Sequence, residues 1–250
     1  MAEPLLVVDR VSRRFGGLLA VNAASLTAVE GRITALIGPN GAGKTTLFSI
    51  ISGFLKASEG TVRFSGEDIT DEMPHRLARR GIARTFQIAQ PFAGLSVREN
   101  ILVGAHLRNR AHDTALAAAE EIGRQLGLGD LLDRPADTLT VAGRKRLELA
   151  RALAIEPKLL LLDEVLAGLN PSEIRDIVPV IRSLCGRGVA IMMIEHVMQA
   201  VMSLAAHVFV LSEGRIIAAG TPKQVAVDPG VIEAYLGHGA AAMLGASHGS

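Results

Sequence analysis

One segment carries residue types that bind phosphate: Gly38-Pro39-Asn40-Gly41-Ala42-Gly43-Lys44-Thr45-Thr46. It matches the pattern G-x-x-x-x-G-K-[ST] without a mismatch, between a predicted strand at Ile33–Ile37 and a predicted helix from Thr46. The glycines let backbone N–H groups face phosphate oxygens, and the helix N-terminus adds partial positive charge. Lys44 would reach the β- and γ-phosphates, and the Thr45 hydroxyl would bind Mg²⁺. The segment therefore predicts binding of a nucleoside triphosphate.

Two acidic residues follow a short apolar run later in the chain. Leu159 to Leu162 predict a fully buried strand, and Asp163 and Glu164 stand at its carboxyl end, where ligands bind in open α/β sheets. Asp163 would hold Mg²⁺, and Glu164 would polarise a water that attacks the γ-phosphorus. A strand that ends in an acidic turn is the alternative, and the phosphate loop in the same chain favours the catalytic interpretation.

The elements around these residues predict an α/β fold. Apolar runs, typical of buried strands, alternate with helical segments such as Pro171 to Gly186, which favours a mainly parallel sheet covered on both faces. Short N-terminal strands precede this core. Ile82 to Phe86 predict a further strand, and Arg144 to Ile155 predict a helix. From Pro91 the alanine and leucine content rises and charges recur at helical spacing, which predicts an inserted helical subdomain.

Composition limits the classes of protein that the chain could belong to. The 250 residues are 49% hydrophobic, with a net charge of +1, so a general attraction to nucleic acid is not expected. Aromatic residues make up 3% and tryptophan is absent, which argues against a base-stacking surface. The single Cys185 excludes an internal disulfide and suits a reducing compartment. We expect neither a signal peptide nor a membrane span.

The order of these motifs resembles the ATP-binding subunits of ABC transporters, over about residues 5 to 237. The resemblance implies ATP and Mg²⁺ as ligands. It gives Gln87 the role of the Q-loop glutamine, which contacts Mg²⁺ and the attacking water, and His196 that of the switch histidine at the γ-phosphate. Phe15 takes the place of the aromatic that stacks on adenine. Taken as isolated residues, His196 would more often be structural and Phe15 would more often belong to the core.

The signature segment of that family, Leu-Ser-Gly-Gly-Gln, is altered in this chain. Without a gap it becomes Leu139-Thr140-Val141-Ala142-Gly143, which keeps a hydroxyl but replaces a glycine with alanine and the glutamine with glycine. A shift of one residue would let Gly143 serve as the close-approach glycine, and both registers remain open. In the family this segment completes the nucleotide site of a partner subunit.

The resemblance also implies an organisation. The predicted fold is the P-loop NTPase fold of ABC cassettes, with residues 1–90 and 146–237 as the ATP-binding core (RecA-like plus antiparallel β), 91–145 as the helical signature subdomain, and 238–250 as a flexible tail. The segment Arg84 to Gln87, the segment Ala167 to Pro171 and the C-terminal segment up to Gly237 are similar to the branched-chain amino acid importer branch, in particular to the first of its two paired ATPases.

This similarity implies an ATPase that powers amino acid import. Its partners would be a second ATPase subunit, in a homo- or heterodimer, membrane permeases and, indirectly, a substrate-binding protein, at the cytoplasmic face of the inner membrane. Related systems for lipopolysaccharide export or for urea and amide import are transport alternatives. The sequence also leaves open a P-loop kinase, a non-transport ABC ATPase and a regulatory subunit that does not hydrolyse ATP.

Overall fold

The computed structural model describes residues 3–86 and 90–236, so Gln87 and the predicted tail 238–250 lie outside the described residues. The described ranges contain ten strands: β1 Leu6–Phe15, β2 Leu18–Ala28, β3 Ile33–Ile37, β4 Glu59–Phe64, β5 Glu67–Asp68, β6 Ile82–Arg84, β7 Leu159–Asp163, β8 Ala190–Ile194, β9 His207–Ser212 and β10 Arg215–Gly220. The same ranges contain nine α-helices: α1 Lys44–Ile51, α2 Pro74–Arg80, α3 Val97–Ala105, α4 His112–Gln125, α5 Val141–Leu153, α6 Pro171–Gly186, α7 Met198–Leu204, α8 Pro222–Ala226 and α9 Pro229–Leu236.

A six-stranded sheet in the order β10-β9-β3-β8-β7-β6 carries the phosphate loop and the acidic pair. β9, β3, β8, β7 and β6 are parallel, and β10 pairs antiparallel at the edge. Because β3, β7 and β8 are parallel strands in one sheet, their carboxyl ends meet at one edge of it. That edge is where the residues that follow these strands converge.

Both faces of this sheet are covered, which explains why its central strands are apolar at almost every position. Leu160 and Leu162 of β7 join the buried cluster that includes Ile177 and Ile181 of α6. Leu159 and Leu161 point to the opposite face and belong to the cluster that includes Phe48 of α1.

A second, antiparallel sheet in the order β2-β1-β4-β5 covers this opposite face. The predicted fold class, α/β with a mainly parallel sheet and N-terminal antiparallel strands, is therefore confirmed. Several predicted bounds were wrong by a few residues. The strand predicted to reach Phe86 ends at Arg84, and the helix predicted from Arg144 begins at Val141.

Helices α3, α4 and α5 follow one another between β6 and β7 and pack together through buried residues such as Ile101, Ala119 and Leu147. The division of the chain at residues 90 and 145 stays a prediction. In the described part of the chain, none of the helices combines the length and apolar character that a membrane span requires.

Candidate nucleotide site

The phosphate loop connects β3 to α1, in the strand-loop-helix context that the sequence predicted. Gly38 and Gly43 adopt φ angles of 151° and 102°. A Cβ atom on Gly38 would lie 1.9 Å from the Leu211 carbonyl oxygen, and one on Gly43 would lie 2.3 Å from that of Ala20. Both positions therefore require glycine for steric as well as conformational reasons.

Lys44 closes this loop on itself. Its Nζ atom donates hydrogen bonds to the carbonyl oxygens of Gly38, at 2.7 Å, and Pro39, at 2.9 Å. Burial lowers the pKa of the Lys44 ammonium, whereas the carboxylates of Glu164 and Asp163 act to raise it. The Lys44 side chain is thus buried, bonded to the loop carbonyls and close to two carboxylates. The negative charge of these carboxylates would repel an anionic ligand unless a bound cation offsets it.

Asp163 ends β7 beside the loop and forms a buried ion pair that the sequence analysis missed. Its Oδ2 atom accepts a hydrogen bond from Nη2 of Arg84 at 2.9 Å, and both side chains are almost fully buried. The Oδ1 atom is buried without a hydrogen-bond partner in the described part of the chain. Burial raises the pKa of the Asp163 carboxyl, against the opposing effect of Arg84. A buried carboxylate oxygen with unused acceptor capacity fits a divalent cation.

Glu164 and His196 are brought into contact at the same edge of the sheet. Nε2 of His196 lies 2.7 Å from Oε1 of Glu164. Glu164 has a φ angle of 51°, so the chain turns sharply after β7. After this turn, Glu164 and His196 both line one cavity.

An open cavity of about 810 Å³ contains most of the predicted ATP-binding residues. Its lining comprises Phe15, Leu18, Ala20, Asn40, Gly41, Ala42, Gly43, Lys44, Thr45, Thr46, Glu164 and His196. Phe15 is 41% exposed at its rim, with the Arg13 guanidinium 4.7 Å from the ring centroid, so it is not a core residue. The cavity therefore joins an aromatic face, a phosphate loop and an acid-histidine pair.

The altered signature segment lies apart from this cavity, to whose lining it contributes no residue among those described. Thr140 is the N-cap of α5, and its hydroxyl accepts a hydrogen bond from the Gly143 N–H at 3.1 Å. Leu139 is buried, while Val141 is 64% exposed at the start of the helix. The ungapped register thus has its hydroxyl residue at the helix cap, and the role of these five residues stays a prediction.

Gln87 lies outside the described residues, but the residues that flank it are held by α5. The Phe86 N–H donates to the Glu148 carboxylate. Nη1 of Arg151 donates to the carbonyl oxygen of Gln90 at 2.9 Å, and its guanidinium lies 4.2 Å from the Phe92 ring centroid. The residues on either side of Gln87 are therefore both hydrogen-bonded to helix α5.

Four residues important to this region were not identified as site residues from sequence: Arg84, Lys145, Glu148 and Glu195. The strongest available signal was Glu195, an acid directly after a predicted buried strand and next to His196. It is 1% exposed, its Oε1 atom accepts the Leu166 N–H at 2.9 Å, and burial raises the pKa of its carboxyl to about 7. Nothing in the local pattern around Lys145 marked it.

Comparison with known proteins assigns the family. The model of the family described as ABC transporter matches residues 21–167, more than half of the chain, and that of the branched-chain amino acid ATP-binding cassette transporter matches residues 215–241. The chain belongs to the ABC transporter family. It is an ABC ATPase, as the sequence predicted.

Individual relatives support this assignment, and the similarity extends over nearly the whole chain. This ABC ATPase is 38% identical to the high-affinity branched-chain amino acid transport ATP-binding protein BraF of Pseudomonas aeruginosa, and the alignment covers 95% of this chain and 99% of that protein. It is also 38% identical to the high-affinity branched-chain amino acid transport ATP-binding protein LivG of Escherichia coli, over 95% of this chain and 99% of that protein. The crystal structure of the ADP conformation of MJ1267, an ATP-binding cassette of an ABC transporter, superposes with a TM-score of 0.84 at 35% identity, covering 95% of this chain and 100% of that one.

Proposed function

We propose that this ABC ATPase binds and hydrolyses ATP to power import of branched-chain amino acids through membrane permeases. The observation that supports the hydrolytic role is the convergence of the phosphate loop with Glu164 and His196 on one cavity. The observation that supports the transported substrate is the similarity to BraF and LivG over almost their full lengths. Alternatives such as lipopolysaccharide export are not favoured by these relatives.

The phosphates of ATP bind to the loop between β3 and α1. Backbone N–H groups of Gly41 to Thr45 point to the phosphate oxygens, and the Lys44 ammonium leaves the loop carbonyls to contact the β- and γ-phosphates. Phe15 packs against the adenine ring at the rim. These contacts fix the γ-phosphorus close to the carboxyl ends of β7 and β8.

Glu164 acts on the attacking water. Its carboxylate accepts a hydrogen bond from the water and takes up a proton as the water oxygen bonds to the γ-phosphorus. The bond from the γ-phosphorus to the oxygen that bridges to the β-phosphate breaks, and ADP leaves. His196 orients this carboxylate and contacts the γ-phosphate. The metal would be held by Asp163 and Thr45, with Gln87 as a further ligand. When bound, Mg²⁺ neutralises part of the charge on the phosphates.

Two copies of the cassette, or this chain and a paired ATPase, enclose the nucleotide. Residues 139–143 do not contribute to the described lining of their own cavity, and we propose that they contact the nucleotide of the partner instead. The exposed N-terminus of α5 offers backbone N–H groups to a γ-phosphate. Because these contacts exist only in the closed pair, ATP favours closure and hydrolysis reopens the pair.

The permease contact lies in a groove between the core and helices α3 and α5. The groove has a volume of about 410 Å³ and exposes the rings of Phe54, Phe86 and Phe92. We propose that an apolar helix of the permease fills it, at the cytoplasmic face of the membrane, while a substrate-binding protein delivers the amino acid on the other side. Its wall includes Glu148 and Arg151, which hold the Q-loop ends.

Uptake measurements in cells that carry the chain test this proposal. Replacement of the chromosomal copy by the Glu164→Gln variant should abolish high-affinity uptake of radiolabelled leucine, isoleucine and valine. Uptake of lysine and urea serves as the control and should not change. Unchanged leucine uptake would contradict the proposed substrate, and loss of urea uptake instead would transfer the assignment to amide import.

A further inference from the structure

The side chain of Lys145 connects two parts of the site that are distant in sequence. Lys145 lies in the second turn of α5, two residues after the signature segment ends at Gly143. Its Nζ atom donates hydrogen bonds to the carbonyl oxygens of Glu164, at 2.8 Å, and Ala167, at 2.5 Å. These two carbonyls bracket the turn that follows β7 and carries the Glu164 carboxylate.

Glu195 holds the same turn through a second contact. Its Oε1 atom accepts the N–H of Leu166 at 2.9 Å, and its Oε2 atom is buried without a hydrogen-bond partner in the described ranges. Lys145 and Glu195 also attract each other electrostatically. The backbone of residues 164–167 is thus held by a half-buried cation, which donates to two of its carbonyl oxygens, and by a buried acid, which accepts one of its N–H groups.

The turn after β7 also has stabilising contacts that do not involve Lys145. The turn already has an Ala167 N–H to Glu164 carbonyl bond at 3.2 Å, and Leu166 is fully buried. Partial burial of a lysine ammonium costs free energy, which its hydrogen bonds must offset. One of the two hydrogen bonds of Lys145 goes to the backbone of Glu164, the residue that bears the catalytic carboxylate, which suggests a role in the site.

We propose that Lys145 is a positioning residue. It connects helix α5, which follows the signature segment, to the turn of Glu164 and so fixes the orientation of the Glu164 carboxylate. The inference rests on the proposed hydrolytic function and adds a consequence to it. In the proposed pair, residues 139–143 at the start of α5 would face the nucleotide of the partner. A shift of α5 on closure would then be passed through Lys145 to the general base of the same chain. Each nucleotide therefore influences the catalytic carboxylate that serves the other.

The test compares three variants of the purified full-length chain: Lys145→Met, which removes both donors but keeps the chain length, Lys145→Arg, which keeps them, and Lys223→Met as a matched control on a lysine of α8. We expect Lys145→Met to lower kcat for ATP hydrolysis about 100-fold, the cost of a misplacement near 1 Å. The affinity for ATP and the melting temperature should stay near those of the unsubstituted chain. Lys145→Arg should recover most of kcat, and Lys223→Met should leave it unchanged.

A double variant separates a positioning role from a structural one. Because Lys145 acts through Glu164, Lys145→Met should cause no further loss of hydrolysis in a Glu164→Gln background. A multiplicative loss in the double variant, an unchanged kcat in Lys145→Met, or a parallel fall of kcat, ATP affinity and melting temperature without recovery by arginine would overturn the proposal. If Lys145→Met does not fold, Lys145→Gln replaces it, with the same expectations.

These outcomes are distinct from a failure of the proposed function itself. If the unsubstituted chain binds ATP but hydrolyses none at a concentration that allows pairing, the hydrolytic function fails. If the unsubstituted chain hydrolyses ATP and Lys145→Met does so equally well, only the role of Lys145 fails.

Discussion

Nε2 of His196 lies 2.7 Å from Oε1 of Glu164, although 32 residues separate them in the chain. The contact arises because β7 and β8 are parallel neighbours and both residues closely follow their strands. It holds the two side chains that would act on water and γ-phosphate in one hydrogen-bonded pair. The pair, and not either residue alone, is therefore the unit that the following experiments address.

Removal of the Glu164 carboxylate should abolish turnover and preserve binding. Glu164→Gln keeps the size of the side chain but cannot accept a proton, so we expect kcat to fall by at least about 100-fold. The ATP-bound pair should accumulate, which size-exclusion chromatography in the presence of ATP and Mg²⁺ would detect. Glu59→Gln, on an exposed strand position, is the matched control and should behave like the unsubstituted chain. Undiminished hydrolysis in Glu164→Gln would exclude the general-base role.

Loss of the His196 ring should affect turnover more than binding. His196→Ala removes the partner that orients Glu164, and we expect kcat to fall about 100-fold with a change in ATP affinity of less than about 10-fold. His112→Ala, at the exposed start of α4 and outside both the cavity and the proposed permease groove, provides the control. A loss of ATP affinity with an unchanged kcat would indicate that His196 contributes only to binding.

Lys44 should be needed for binding itself. Lys44→Ala removes the ammonium that faces the phosphates, and we expect ATP affinity to fall by about 100-fold or more because a charge-assisted contact to phosphate is lost. Titration with a fluorescent ATP analogue measures this directly. Lys56→Ala, at a lysine beyond the end of α1 and outside the cavity lining, should keep full affinity. Unaltered nucleotide affinity in Lys44→Ala would contradict the assignment of the loop.

The buried pair of Arg84 and Asp163 should be a large contributor to stability. Arg84→Met leaves a buried carboxylate without its counter-charge, and we expect the free energy of unfolding to fall by about 3 kcal/mol. The double variant Arg84→Met/Asp163→Asn should recover part of this loss, because the uncompensated charge is gone. Arg124→Met, which breaks an exposed pair with Glu121, should cost less than about 1 kcal/mol. Urea unfolding at neutral pH measures all three, and a loss for Arg84→Met as small as that for Arg124→Met would contradict the prediction.

Glu195 should impose a pH dependence on stability. Burial raises the pKa of its carboxyl from 4.5 to about 7, with Lys145 lowering it and Glu164 raising it further. Between these values the folded chain keeps a proton that the unfolded chain releases, so the contribution of Glu195 is fully present below pH 4.5 and is lost as the pH rises through about 7. The loss amounts to about 3 kcal/mol at about 1.36 kcal/mol per pKa unit.

Replacement by glutamine should remove this dependence, because the amide does not titrate. The stability of Glu195→Gln relative to the unsubstituted chain should therefore increase from pH 4.5 to above 7, measured by urea unfolding of the nucleotide-free protein. Glu59→Gln, at an exposed position, serves as the control and should show a constant difference. A constant difference for Glu195→Gln as well would mean that Glu195 does not titrate in this window.

The parts of the site that lie in contiguous sequence could be predicted from it. The phosphate loop, the acidic pair at the end of β7 and the histidine after β8 each depend on a strand followed by a few residues, and local patterns specify such units. The bounds of α5 could not be predicted as well, because Thr140 caps the helix and starts it at Val141, three residues before the predicted start at Arg144. The same cap decides which residues of the signature segment begin the helix.

Contacts between distant segments were beyond the reach of sequence patterns. The pairing of Arg84 with Asp163 spans 79 residues, and that of Lys145 with the Glu164 carbonyl spans 19 across two elements. The sequence by itself determined that this chain has a phosphate loop, an acid pair and a histidine in the order of an ABC ATPase, since each motif is local. Only the tertiary structure decided which charges meet, because strand order and helix packing, and not chain proximity, bring buried partners within hydrogen-bond distance.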